Sequence, residues 1–193
     1  ATEHYDGSAW TAGGNMATTR YNLAGAGTDT AGLAFGGRAP NITNATEHYD
    51  GSAWTSGGNL GTAISMLAGA GTQTAALGFG GYFSTDPNAT EHYDGSAWTA
   101  GGNLGTARYS LAGAGTQTAG LGFGGYSNMD SVNATEHYDG SAWTAGGNMG
   151  TGRENLGGAG TLSAGLAFGG GFGSNATEEY AGPGIISKTV TSS

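Results

Sequence analysis

The phrase ATEHYDGSAW occupies residues 1–10 and returns unchanged at 45–54, 89–98 and 134–143. An eroded fifth copy, ATEEYAGPGI, fills 176–185. The copies start at Ala1, Ala45, Ala89, Ala134 and Ala176, so the spacings are 44, 44, 45 and 42 residues. A period of this length reads as a solenoid or a propeller before any other fold. It divides the chain into repeats 1–44, 45–88, 89–133 and 134–175 and a partial repeat 176–193, within one domain, 1–193.

One unit splits into four pieces of strand length. In the third repeat they are ATEHYDG (89–95), SAWTAGGN (96–103), YSLAGAGTQ (109–117) and AGLGFGG (119–125). Asp94-Gly95 marks the turn between the first two, and Gly-Gly pairs follow the second and fourth. Helices are disfavoured, because glycine this dense costs each one about 1 kcal/mol per occurrence. The expected fold class is all-β, a β-propeller of four-stranded antiparallel blades.

The small residues of LAGAGT (23–28, 67–72, 111–116) and LGGAGT (156–161) suit the crowded inner strand. The next strand brings Phe35, Phe79, Phe123 or Phe168 to pack between blades. The third brings Tyr5, Tyr49, Tyr93, Tyr138 or Tyr180, and the fourth Trp10, Trp54, Trp98 or Trp143. Four inner strands give four blades, yet there are five copies of the Glu-x-Tyr strand. One outer hairpin is surplus. The C-terminal copy lacks the Trp and ends GIISKTVTSS, which alternates like an edge strand protected by Lys188. The count predicts that the spare hairpin docks on a neighbouring subunit, giving a homo-oligomer or filament by strand exchange.

The order of apolar residues, Gly-Gly, Glu-x-Tyr-Asp and Trp, as in LAFGGRAPNITNATEHYDGSAW (33–54), resembles a kelch repeat. The resemblance covers nearly the whole chain and implies a propeller. The Gly/Ala/Thr-rich wording resembles the kelch-like repeats of marine bacteriophages and environmental viral sequences. That resemblance implies a place on a virion or extracellular surface, as a tail-fibre or receptor-binding part.

Glycine supplies 42 of 193 residues, only 10% are charged, and the net charge is −9. Five basic residues cannot form the clustered patch that nucleic acid requires. No apolar run approaches the ~18 residues of a membrane-spanning helix, so no membrane insertion is expected. Cysteine is absent, which excludes disulfides and thiolate metal sites. The chain opens on Ala1, inside a repeat phrase. This reads as a processed, trimmed or engineered start, with which a leader could have been lost.

His, Asp and Glu of the phrase can take part in acid–base or metal chemistry. Glu3 and Tyr5 fall on one face of a strand and His4 on the other. The four histidines are expected to be dispersed around a ring, exposed or half-exposed. The Gly-Gly pairs are followed by no helix or Lys and form no phosphate loop. No repeat holds an asymmetric catalytic constellation, so neither an enzyme, a metal site nor a cofactor is expected. Asn41, Asn44, Asn88, Asn133 and Asn175 begin N-x-Thr sequons. They are glycosylation acceptors in a secreted eukaryotic chain and plain turns in a phage or bacterial one.

The repeats differ in two places. One precedes the inner strand: TRYN (19–22), AISM (63–66), ARYS (107–110) and GREN (152–155). The other follows Gly-Gly: RAPNIT (38–43), YFSTDP (82–87), YSNMDSV (126–132) and GFGS (171–174). In an up-and-down blade both connections lie on one face of the disc. Variable loops on a rigid scaffold are where recognition is usually placed. The expected ligand-binding residues are Arg20, Tyr21, Arg38, Tyr82, Phe83, Arg108, Tyr109, Tyr126 and Arg153. The expected partner is a cell-surface glycan or protein. A self-assembling structural protein and an engineered or excised propeller fragment are the alternatives.

Overall fold

The computed structural model describes residues 1–83, 88–171, 173–182 and, for the backbone, 188–190. GIIS (184–187) and the last three residues lie outside this set, as do residues 84–87, Phe172 and the Lys188 side chain. The described residues form an all-β, four-blade propeller arrangement with no helix.

A hairpin of β1 (Glu3–Tyr5) and β2 (Trp10–Ala12) comes first. Blade 1 holds β3 (Ala24–Gly27), β4 (Gly32–Phe35), β5 (Thr46–Tyr49) and β6 (Trp54–Ser56). Blade 2 holds β7 (Ala68–Thr72), β8 (Ala75–Phe79), β9 (Thr90–Tyr93) and β10 (Trp98–Ala100). Blade 3 holds β11 (Ala112–Thr116), β12 (Ala119–Phe123), β15 (Thr135–Tyr138) and β16 (Trp143–Ala145). A small hairpin, β13 (Tyr126–Ser127) and β14 (Asp130–Ser131), interrupts it. Blade 4 holds β17 (Gly157–Thr161), β18 (Ala164–Phe168), β19 (Thr177–Tyr180) and β20 (Lys188–Val190). Every blade is an antiparallel meander, so each joins the inner strands of one repeat to the outer hairpin of the next.

The invariant turn is fixed by its own side chains. Asp94 Oδ1 accepts from the backbone N–H groups of Ser96 and Ala97 and from Ser96 Oγ, all at 2.8 Å. Gly95 takes φ +96°, a conformation that Asp-Gly turns supply with least strain. These hydrogen bonds hold the Asp94 carboxyl below the usual carboxylate range.

The core lies between blades. Phe35 of blade 1 is fully buried and meets Trp98 of blade 2 at 4.7 Å between ring centroids; Phe79 and Trp143 repeat this between blades 2 and 3. Burying each Phe contributes about 2 kcal/mol. The inner strands approach so closely that Gly113 has no space for a side chain. A Cβ there would lie 2.7 Å from the Gly69 carbonyl oxygen and 2.8 Å from Phe79 Cζ.

Inner strand β3 packs on β7, β7 on β11 and β11 on β17; no comparable contact joins β17 to β3. Blades 1 and 4 are therefore the two ends of the row. The surplus hairpin is also not where its eroded sequence suggests. The C-terminal copy supplies β19, which pairs with β18 in blade 4. The N-terminal pair β1–β2 forms a two-stranded sheet, with no inner strands beside it among the described residues. Chain adjacency explains the choice, since only residues 169–176 separate β18 from β19.

Candidate recognition face

Both variable segments come to one face, where short backbone bridges join them: Tyr21 to Arg38, Ser65 to Tyr82 and Tyr109 to Tyr126. Around the axis, Asn22, Met66, Ser110 and Asn155 all take left-handed φ values of 52–56°. Their backbones are chained at 2.8 Å. Met66 N–H donates to Asn22, Ser110 N–H to Met66 and Asn155 N–H to Ser110. These four line an axial depression of about 280 Å³ floored by Leu23, Leu67, Leu111 and Leu156.

Aromatic rings flank this mouth. Tyr82 meets Tyr109 edge-on at 5.4 Å, and Tyr109 meets Tyr126 at 5.4 Å, giving a three-ring ladder across blades 2 and 3. Tyr21, Tyr82 and Phe83 are exposed. Met129, which the sequence reading passed over, is 91% exposed at the tip of β13–β14. Arg38 is exposed and its Nε donates to the Pro40 carbonyl at 3.0 Å.

The other three arginines are not on this surface, contrary to expectation. Arg20, Arg108 and Arg153 are buried. Nη2 of Arg20 reaches Glu47 at 2.8 Å, that of Arg108 reaches Glu136 at 3.0 Å and that of Arg153 reaches Glu178 at 2.8 Å. Nη1 of each donates to two backbone carbonyls, Gly36 and Ala45, Gly124 and Ala134, or Gly169 and Ala176. A ligand cannot reach them. They clamp the Gly-Gly turn of a blade to its third strand. Burial pushes the Arg108 pKa down, and the Glu136 carboxylate opposes that shift. In blade 2 the same slot holds Ile64, and Glu91 accepts from Gly61 N–H at 2.8 Å.

The histidines link successive blades. Nε2 of His4 lies 2.5 Å from Tyr49 OH, and those of His48 and His92 lie 2.6 Å from the Tyr93 and Tyr138 hydroxyls; His137 meets Tyr180. His137 is buried rather than exposed or half-exposed. Among the described residues, no three His, Asp or Glu converge as a metal site would require.

The sequons divide as well. The side-chain amides of Asn44, Asn88 and Asn133 donate at 2.9 Å to the carbonyls of Leu60, Leu104 and Met149. These three are half-buried and tie the third strand to the following loop. Asn41 and Asn175 are exposed.

No family model matches the chain, and no curated protein matches it either. Among the described residues, no helix is long and apolar enough to cross a membrane.

Proposed function

We propose that the protein is a non-enzymatic recognition module, a kelch-like propeller that binds a cell-surface glycan or protein through its tyrosine-bearing face. The tyrosine ladder of Tyr82, Tyr109 and Tyr126 carries this reading. Tyrosine offers a large, rigid, amphipathic contact surface at low conformational cost. Tyr21, Arg38 and Phe83 extend the same face, and the axial depression beside it gives a ligand a concave seat. The resemblance to phage kelch-like repeats supports a setting on a virion or extracellular surface.

The test is capture of labelled protein on arrays of glycans and of cell-surface ectodomains. Wild-type protein is expected to be retained on a defined subset of spots. A Tyr82→Ala/Tyr126→Ala variant is expected to lose at least about tenfold in retention, the scale of hot-spot aromatics. Its melting temperature is expected to stay close to wild type. Retention unaltered in that variant would exclude this face.

A further inference from the structure

The three blade-to-blade contacts within the chain are built alike. Leu33 and Phe35 of blade 1 enter blade 2, Leu77 and Phe79 enter blade 3, and Leu121 and Phe123 enter blade 4. All six are at most 3% exposed. The receiving side is made of small residues. A Cβ on Gly120 would lie 2.8 Å from Leu77 Cδ2, and one on Gly158 would lie 2.7 Å from Phe123 Cζ.

The ends of the row carry the two halves of one more such contact. On blade 4 the corresponding Leu166 is only half-buried, and Phe168 is 42% exposed. On blade 1 the corresponding small residues are Gly25 and Gly32, and among the described residues neither meets a side chain from another blade. Gly25, with Leu33, Ala34 and Trp54, borders an open groove of about 770 Å³.

The hairpin β1–β2 stands beside this groove. It is seated on blade 1 as other outer hairpins are seated on the blade after them. His4 meets Tyr49, and Trp54 Nε1 donates to Thr2 Oγ1 at 2.8 Å. Trp98 to Thr46 and Trp143 to Thr90 are the same bond between later blades. The hairpin thus occupies the outer half of a blade position whose inner half is the groove. Tyr5 and Trp10 are 51% and 66% exposed, whereas Tyr93 and Tyr138 are fully buried and Trp98 and Trp143 are 9% exposed. Blade 4 offers a matching space. Phe123, Thr135 and Ala167 line a pocket, whereas their counterparts Phe79, Thr90 and Gly122 surround Trp143.

We propose that two copies of this chain join head to tail through a composite blade. The inner pair β17–β18 of one copy fills the blade 1 groove of the next. There the second copy's β1 pairs with β18 in place of β19. Leu166 and Phe168 dock against Gly32 and Gly25. Trp10 enters the pocket beside Phe123, with its indole N–H directed at Thr135 Oγ1. Glu3 takes the position of Glu178 against Arg153. A second copy is the occupant because the three inter-blade contacts are built alike, and blades 4 and 1, whose inner strands do not pack on each other, carry the two halves of a fourth. Continuing the row into another copy preserves all three. A head-to-tail contact of this kind generates a ring or an open filament.

One turn position differs between blades, with Gln73 and Gln117 in blades 2 and 3, Leu162 in blade 4 and Asp29 in blade 1. The side-chain amides of Gln73 and Gln117 donate to carbonyls of the preceding blade, Gly32 and Tyr49 or Ala76 and Tyr93. Asp29 holds that slot in blade 1, and its side chain carries no amide N–H. Asp29→Gln should therefore tighten the junction.

The experiment is size-exclusion chromatography with light scattering on the full chain and three variants. The chain should show multiples of its 18.9 kDa mass that grow with concentration. Phe168→Asp, which removes the knob, and Gly25→Leu, which blocks the groove, should each stay at the chain mass. An equimolar mixture of those two retains one good junction and should yield a species of about twice the chain mass. Asp29→Gln should lower the assembly midpoint about tenfold, as one or two added hydrogen bonds allow. A full chain that stays at its own mass at every concentration would overturn the proposal. So would a mixture that fails to pair, which is the result of closure within one chain.

Discussion

Arg108 Nη2 lies 3.0 Å from Glu136 Oε1 inside blade 3, and the arginine side chain is wholly buried. Blades 1 and 4 repeat the pair with Arg20–Glu47 and Arg153–Glu178. The guanidinium's Nη1 donates both to the Gly124 carbonyl of the Gly-Gly turn and to the Ala134 carbonyl ahead of the third strand. Its role is to hold a glycine-rich blade in one conformation.

Removing one member of such a pair leaves the other charged and buried. Arg108→Leu should therefore cost about 3–5 kcal/mol in urea or guanidinium unfolding. Arg108→Lys should recover only part of this, because an ammonium lacks the planar fork that reaches three acceptors. A loss under about 0.5 kcal/mol, typical of a surface change, would show that the clamp is dispensable.

Blade 2 permits the opposite experiment. Ile64 lies beside a cavity of about 120 Å³ lined by Leu67, Phe79, Phe83 and Glu91. Ile64→Arg places a guanidinium where Glu91 and the turn carbonyls await it. The expected gain is about 1 kcal/mol, read as a rise of about 2–4 °C in melting temperature by calorimetry. A fall would mean that the cost of desolvating the new cation exceeds the attraction of Glu91.

The histidine–tyrosine links predict a pH dependence. Burial pushes the pKa values of His48, His92 and His137 below their ordinary value near 6.5. The fold therefore favours the neutral rings. Their contribution is complete above pH 6.5 and is lost as pH falls from there through the lowered folded values. The Asp94 and Asp139 carboxyls, held below 3.8, remain ionised in that window. The urea midpoint should fall between pH 7.5 and pH 5, and His92→Gln/His137→Gln should flatten the fall. A midpoint that rises on acidification would contradict the assignment.

Much of this architecture was legible in the sequence. The Asp-Gly and Gly-Gly punctuation located the strands of blades 1 to 3 and the inner strands of blade 4, and the alternation of connections placed both variable segments on one face. The arginines were misread because a charged residue in a variable segment suggests solvent. The informative signal was which residue replaces it. A slot that takes Arg in repeats 1, 3 and 4 and Ile64 in repeat 2 is an interior slot. The invariant Glu of the TEHY and TEEY strands named its partner. Strand counting revealed a surplus hairpin but not which end carries it. That depends on the short path from Phe168 to Thr177, a matter of chain connectivity rather than of residue type.

The claim that the blades form an open row can be tested by two matched substitutions, measured where the protein is at its chain mass. Gly113→Ala drives a methyl against Gly69 and Phe79 of the neighbouring blade, at 2.7 and 2.8 Å. Gly25→Ala, at the equivalent place on blade 1, meets among the described residues only the Leu33 carbonyl of its own blade, at 3.3 Å. The open row predicts a loss of about 2 kcal/mol or more for the first and within about 0.5 kcal/mol for the second. Equal losses would mean that blade 4 packs on blade 1 and that the ring is closed.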